Sequence, residues 1–122
     1  MEAFVRLIVT AVLVLAVFPV SATSTMCMFY APPGSPVADL EFLGYEKLGG
    51  ILIQGKGGPR SLPAQSYTVI DLDQFAKRIH LTYKNPGDPS LPPSFVLKGQ
   101  DGYTRLTVQG KIYIGKLACG RW

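Results

Sequence analysis

Several residue types that carry chemistry are nearly missing from this 122-residue chain, which has one histidine, two cysteines and, at position 85, one asparagine. One histidine and no Cys-x-x-Cys pair exclude the common tetrahedral zinc sets and a redox dithiol. Neither a metal nor a cofactor is expected. Asn85 is followed by Pro86 and lacks the Ser or Thr of an N-glycosylation sequon. Charged residues make up only 16%, with no block of five or six of one sign. The net charge of +4 therefore reads as a solvated surface, and no nucleic-acid partner is expected.

One long hydrophobic run is present, at the N-terminus. Phe4 to Val20 is almost wholly apolar, Glu2 and Arg6 are the charges beside and within it, and Pro19 breaks it. Val20-Ser21-Ala22 supplies the small residues that a signal peptidase reads. A membrane anchor would need roughly 20 uninterrupted apolar residues, and this run is shorter. A signal peptide over residues 1–22 is expected, leaving one secreted domain of residues 23–122 with no membrane span. The signal carries one charge of each sign, so its removal leaves the net charge of +4 unchanged.

Behind the signal, Met26 to Ala31 reads as a first strand holding Cys27, and Cys119 lies three residues from the C-terminus. In an exported protein two such cysteines read as one structural disulfide, Cys27–Cys119. Ala31 to Pro36 is a turn or linker. Val37 to Leu48 is ambiguous. Ser35 suits a helix N-cap and Pro36 its first position, yet Leu40, Phe42 and Gly44 alternate with Glu41, Leu43 and Tyr45. A strand over residues 39–46 is favoured, because Gly44 costs a helix interior about 1 kcal/mol. A turn at Leu48-Gly49-Gly50 and a strand to Gln54 follow.

Gly55 to Arg60 lacks the spacing of a phosphate-binding loop and reads as the start of a long polar loop. Tyr67 to Leu72 is a strand. Phe75, Ile79, Leu81 and Tyr83 then fall on one face, with Arg78, His80, Thr82 and Lys84 on the other. Residues 71–77 suit a helical turn, with the strand beginning at Arg78, and His80 reads as exposed and noncatalytic. Lys84 to Pro93 holds four prolines in a PxxP-bearing stretch that reads as a stiff loop.

The last third reads as a meander. A four-residue loop at 99–102 would set Leu97 opposite Thr104 and Phe95 opposite Leu106. A three-residue turn with Gly110 left-handed would set Leu106 opposite Ile112 and bury Ile112 and Ile114. Leu117 and Cys119 then need a one-residue slip, for which Gly115 is the natural bulge.

With that order in view, Cys27-Met28-Phe29-Tyr30, the short Pro/Gly linker, and the run from Leu40 to Ile53 with the polar loop behind it resemble the MAX effectors. These are small secreted proteins of plant-pathogenic ascomycetes, typified by rice-blast avirulence proteins. The likeness covers about the first third of the mature chain. It implies an all-β fold, a six-stranded antiparallel β-sandwich of two three-stranded sheets, although this chain offers one or two strand candidates more than six. It implies delivery into plant cells and a monomer that modulates immunity by binding a host protein, a heavy-metal-associated domain in some members. It places Asp39, Glu41, Leu43 and Tyr45 of the second strand outward as a partner-binding edge. Two features depart from the family pattern: Cys119 lies nearly at the C-terminus, and the loops at 55–66 and 84–93 are long.

The alternative is a secreted RNase-like fold, which the helix reading of 36–48 would suit. Acid–base cleavage would fall to His80, Glu41, Glu46 and the arginines, and with no second histidine the domain would be inactive. A non-enzymatic interaction protein is the expectation.

A Cys27–Cys119 bond closes nearly the whole mature chain into one loop. Removing it in a C27S/C119S variant is expected to cost up to about 4–5 kcal/mol, measured by urea unfolding against the oxidised protein.

Overall fold

A computed structural model describes residues 24–55 and 57–120. The expected signal over 1–22 lies outside the described residues. The described chain is all-β, built from nine strands: β1 Thr25–Tyr30, β2 Leu40–Gly44, β3 Leu48–Gly55, β4 Gly58–Ser61, β5 Tyr67–Asp73, β6 Arg78–Tyr83, β7 Phe95–Gln100, β8 Tyr103–Val108 and β9 Lys111–Cys119. All pairing is antiparallel, in the order β4-β3-β2-β1-β9-β8-β7-β6-β5. The chain thus makes two meanders, β1–β4 and β5–β9, and one non-sequential pairing, β1 with β9, fuses them into a single sheet curled into a half-barrel.

This replaces the six-stranded, two-sheet sandwich. The physical reason lies in β9, which is nine residues long. Its first part, Lys111 to Lys116, pairs with β8, and its last part, Lys116 to Cys119, pairs with β1. One strand serves both meanders, so they cannot separate into two facing sheets. At that junction Cys27 and Cys119 stand directly opposite, with Cα atoms 4.1 Å apart, and form the expected disulfide.

Period-two alternation puts one residue in two on the concave face. Cys27 and Phe29 of β1, Leu40 and Phe42 of β2, Ile51 and Ile53 of β3, Ile79, Leu81 and Tyr83 of β6, Phe95 and Leu97 of β7, Leu106 and Val108 of β8 and Leu117 of β9 join in one buried core. Strand, not helix, is the outcome for the ambiguous segment, as favoured. Gly44 makes the turn after β2 possible: it holds φ +149°, and a Cβ there would meet the Lys47 carbonyl at 2.1 Å. The turn itself falls at 45–47, three residues earlier than expected.

Five further expectations are corrected. The polar loop from Gly55 is instead a hairpin: β3 turns at once into β4, with Gly55 opposite Gly58 and Ile53 opposite Arg60. Phe75 does not share the buried face of β6, because the chain turns over 74–77, with Lys77 at φ 50°, and leaves the ring 91% exposed.

The last meander uses two tight turns, Asp101-Gly102 and Gln109-Gly110. Both central residues of each have positive φ, the backbone that suits the twist of a two-residue hairpin. Leu97 therefore faces Leu106, Gly99 faces Thr104, and Leu106 faces Tyr113. The even turn sends Ile112 and Ile114 to the convex face, 59% and 53% exposed, where burial was expected. Tyr113, Gly115, Leu117 and Cys119 then share the inward parity without any slip.

Gly115 is consequently no bulge. It stands in unbroken register opposite Thr104. Its task is to make room: a Cβ would lie 2.5 Å from both the Phe29 ring and the Tyr30 carbonyl. The 84–93 loop is tied to itself. Asn85 Oδ1 accepts from the amides of Gly87 and Asp88, both at 2.7 Å, its Nδ2 donates to the Pro92 carbonyl at 2.8 Å, and Leu91 and Pro92 are buried.

Gly115→Ala is expected to destabilise the domain by about 1–3 kcal/mol through overpacking. Gly50→Ala, with nothing within 4 Å of the new methyl, should stay within about 0.5 kcal/mol. Denaturant midpoints compare the two.

Candidate functional site: an open seam in the sheet

A half-barrel leaves two edges, β4 and β5. Edge strands present unpaired main-chain N–H and C=O groups that can template another strand, and proteins blunt them with proline, charge, bulges or short length. β4 is blunted. It is four residues long, holds Pro59, and its Arg60 guanidinium donates to the Ser90 carbonyl and hydroxyl, both at 2.9 Å.

β5 is longer, at seven residues, and far more apolar. It pairs with β6 on one side, and a bulge between Val69 and Asp71 pushes Ile70 out of the ladder, 57% exposed. Asp71 and Asp73 are held back toward β6 by Arg78: Nε donates to Asp71 Oδ2, and Nη2 lies 3.5 Å from Asp73 Oδ2.

Across from β5 stands the start of β3. β4 pairs only with Leu52 to Gly55, and the Leu62 amide adds one bond to the Ile51 carbonyl at 2.9 Å. Leu48 to Gly50 thus has β2 on one side and no β4 partner on the other. Between this stretch and β5 lies a cleft of 420 Å³, lined by Glu46, Lys47 and Leu48 on one wall and by Tyr67, Val69, Ile70, Asp71 and Leu72 on the other. Burial beside it pushes the Tyr67 hydroxyl above its usual range.

Both ends of the seam are tied. At one, residues 62–66 cross between the edges, Leu62 bonding to Ile51 and the Ser66 carbonyl accepting from the Lys84 amide at 2.8 Å. At the other, Gln74 Nε2 donates to the Tyr45 carbonyl at 3.4 Å. That end also carries the exposed rings of Tyr45 and Phe75.

Of the residues expected to bind a partner, the structure brings only Tyr45 to this seam. β2 is an interior strand, paired with β1 and β3, so its main chain is not an edge. Asp39 serves the fold, its Oδ1 accepting the Ala31 amide at 2.8 Å. Glu41 and Leu43 do lie on the convex face, half-buried, where Glu41 accepts from the Thr25 hydroxyl and from Gln54 Nε2. Of the groups considered for acid–base chemistry, His80 shares a groove on the convex face with Arg78 and Arg105, whereas Glu41 on β2 has β1, β9, β8 and β7 between it and His80 in the sheet. Among the described residues no group of three His, Cys, Asp or Glu side chains could hold a metal ion.

No protein-family model, curated protein or solved structure matches the chain. The seam itself is two strand rims without ladder partners, flanked by Leu48, Val69, Ile70 and Leu72 with Glu46, Lys47 and Asp71 beside them. Local sequence carried one usable signal for it. Pro59 within Gly58–Ser61 is tolerated on an edge strand and marks one rim of the opening. The other rim, β5, carries no comparable mark, because its bulge depends on pairing with β6.

The turn that closes the seam depends on Asp73. Its Oδ1 accepts the amides of Ala76 and Phe75, both at 3.0 Å. Those bonds, the Ala76 one foremost, together with Arg78 hold the carboxyl below its ordinary 3.8. The folded value is depressed, so the stabilisation is complete above the unfolded value and lost as pH falls through the lower folded one. Protection of the Phe75 and Ala76 amides, taken relative to the intrinsic exchange rate at each pH, is expected to fall as pH drops through the depressed carboxyl value, below the ordinary 3.8, and Asp73→Asn should remove that pH dependence.

Proposed function

We propose that the chain is a secreted, non-enzymatic effector of the plant-pathogen type that binds a host plant protein by accepting an extended segment into the open seam and thereby modulates immunity. The observation that carries the reading is the pair of rims without a strand partner, β5 on one side and Leu48 to Gly50 on the other. An extended segment laid along β5 would gain ladder hydrogen bonds for affinity, and its alternate side chains would meet Val69, Ile70 and Leu72 for selectivity. Tyr45 and Phe75 at the seam's end supply ring surface of the kind enriched where proteins associate.

The export-signal pattern, the disulfide and the resemblance of the first third to the MAX effectors support this placement outside the producing cell. That resemblance also supplies the partner class, a small heavy-metal-associated domain. The mode of contact differs from the second-strand edge that the resemblance implied, since β2 is already paired on both sides.

The test is a surface-plasmon-resonance screen of the disulfide-bonded protein against a panel of plant heavy-metal-associated domains. A specific binder is expected, with Ile70→Lys weakening it at least tenfold while the thermal midpoint stays unchanged, because a lysine on an exposed edge opposes strand addition. Binding untouched by Ile70→Lys and Val69→Lys would overturn the seam, and a panel without a binder would overturn the partner class.

A further inference from the structure

Away from the seam, the convex face of β6–β9 assembles charge that is scattered along the chain. Residues His80, Lys98, Arg105 and Ile114 are successive cross-strand neighbours, one from each of β6, β7, β8 and β9. A second row two residues away runs Gln100, Tyr103, Lys116 and Tyr30, across β7, β8, β9 and β1. The first row, with Gln100 and Tyr103 of the second, lines a groove of 510 Å³ that Asp71 and Arg78 bound at its margin.

Two features set this face apart from an ordinary solvated surface. Lys98 and Arg105 stand directly opposite each other, an arrangement that is destabilising for like charges. Neither they nor Lys116 has an acidic partner among the described residues, because Asp71 and Asp73 are engaged by Arg78 at the margin. Tyr103, between Gln100 and Lys116, is 78% exposed, an aromatic ring held out from a rigid ladder. Self-repelling cations beside uncovered rings are complementary to a flexible polyanion that also carries flat rings.

We propose that this face binds a single-stranded polynucleotide, with phosphates on Lys98, Arg105 and Lys116 and a base stacked on Tyr103. Cations along the backbone with aromatic platforms between them is the general chemistry of single-strand recognition, and an antiparallel sheet is a known support for such rings. A duplex fits less well, since its bases are already stacked and unavailable to Tyr103. Gln100 beside the ring offers an amide to a base edge. The absence of a basic run in the sequence argued against nucleic acid; the sheet supplies the cluster that the chain order hides. The inference is independent of the seam, which uses β5 and β3.

The test is fluorescence anisotropy of the disulfide-bonded protein with a labelled twelve-nucleotide oligouridylate, a matched duplex and labelled heparin. Saturable binding of the single strand is expected, falling about twentyfold between 50 and 200 mM salt, as three phosphate contacts require. K98E/R105E should abolish it, and Tyr103→Ala should weaken it at least fivefold while leaving heparin binding unchanged. Ile70→Lys on the seam should leave oligouridylate binding intact. No saturable binding at 50 mM salt would overturn the proposal. So would equal affinity for duplex and heparin with no effect of Tyr103→Ala, which marks a generic polyanion surface. Binding indifferent to K98E/R105E would overturn it by placing the ligand elsewhere.

Discussion

Everything in this sheet depends on the four-residue pairing of β1 with β9, from Cys27–Cys119 to Tyr30–Lys116. Without it the chain would hold two meanders with four edges; with it there is one sheet with two. The bond between Cys27 and Cys119 sits on the first of those four pairs, so the covalent link and the ladder constrain the same contact. Gly115 completes the junction by letting the Phe29 ring lie against the β9 backbone, and the Leu117 amide reaches the Gly102 carbonyl at 2.8 Å. Long-range pairing of this kind carries a large loop-closure cost, which the disulfide reduces by constraining the unfolded chain.

That same closure explains why the sheet stays open on the other side. The two meanders are anchored back to back at β1 and β9, and their outer strands must meet across the short connection of residues 62–66. β4 is too short to line the whole of β3, so the first residues of β3 face β5 across a cleft rather than a partner strand. The two rims are treated differently. Proline and a tethered arginine guard β4, whereas the two carboxylates of β5 are drawn to Arg78 on β6 and Ile70 at its bulge is left in solvent.

The convex face follows from turn geometry. Two-residue turns at Asp101-Gly102 and Gln109-Gly110 set an even register through β7, β8 and β9. That register exposes Ile112 and Ile114, and it also lines up Lys98 with Arg105 and Tyr103 with Lys116. The expectation that burial forbids this arrangement failed for a steric reason. Phe29 already occupies the inward side of β9 at Gly115, so the concave face has no space for an isoleucine there. Packing, not hydrophobicity alone, chose the face.

Alternation is a local property, and what it encodes is legible in the amino-acid sequence alone: the β class, the first strand with its cysteine, the disulfide, and the inward sets of β6, β7 and β8. Left-handed Gly110 and the start of β6 at Arg78 are legible for the same reason. Which strands neighbour which is not local. That β2 is interior, that β5 is an edge, that the hairpin at Gly55–Gly58 adds a fourth strand to the first meander, and that three separated cations share one face all follow from the β1–β9 pairing and from the room left beside Phe29. A period of two tells each side chain which face to take. Only the folded sheet assigns its neighbour, because cross-strand hydrogen bonds join residues that the chain keeps far apart.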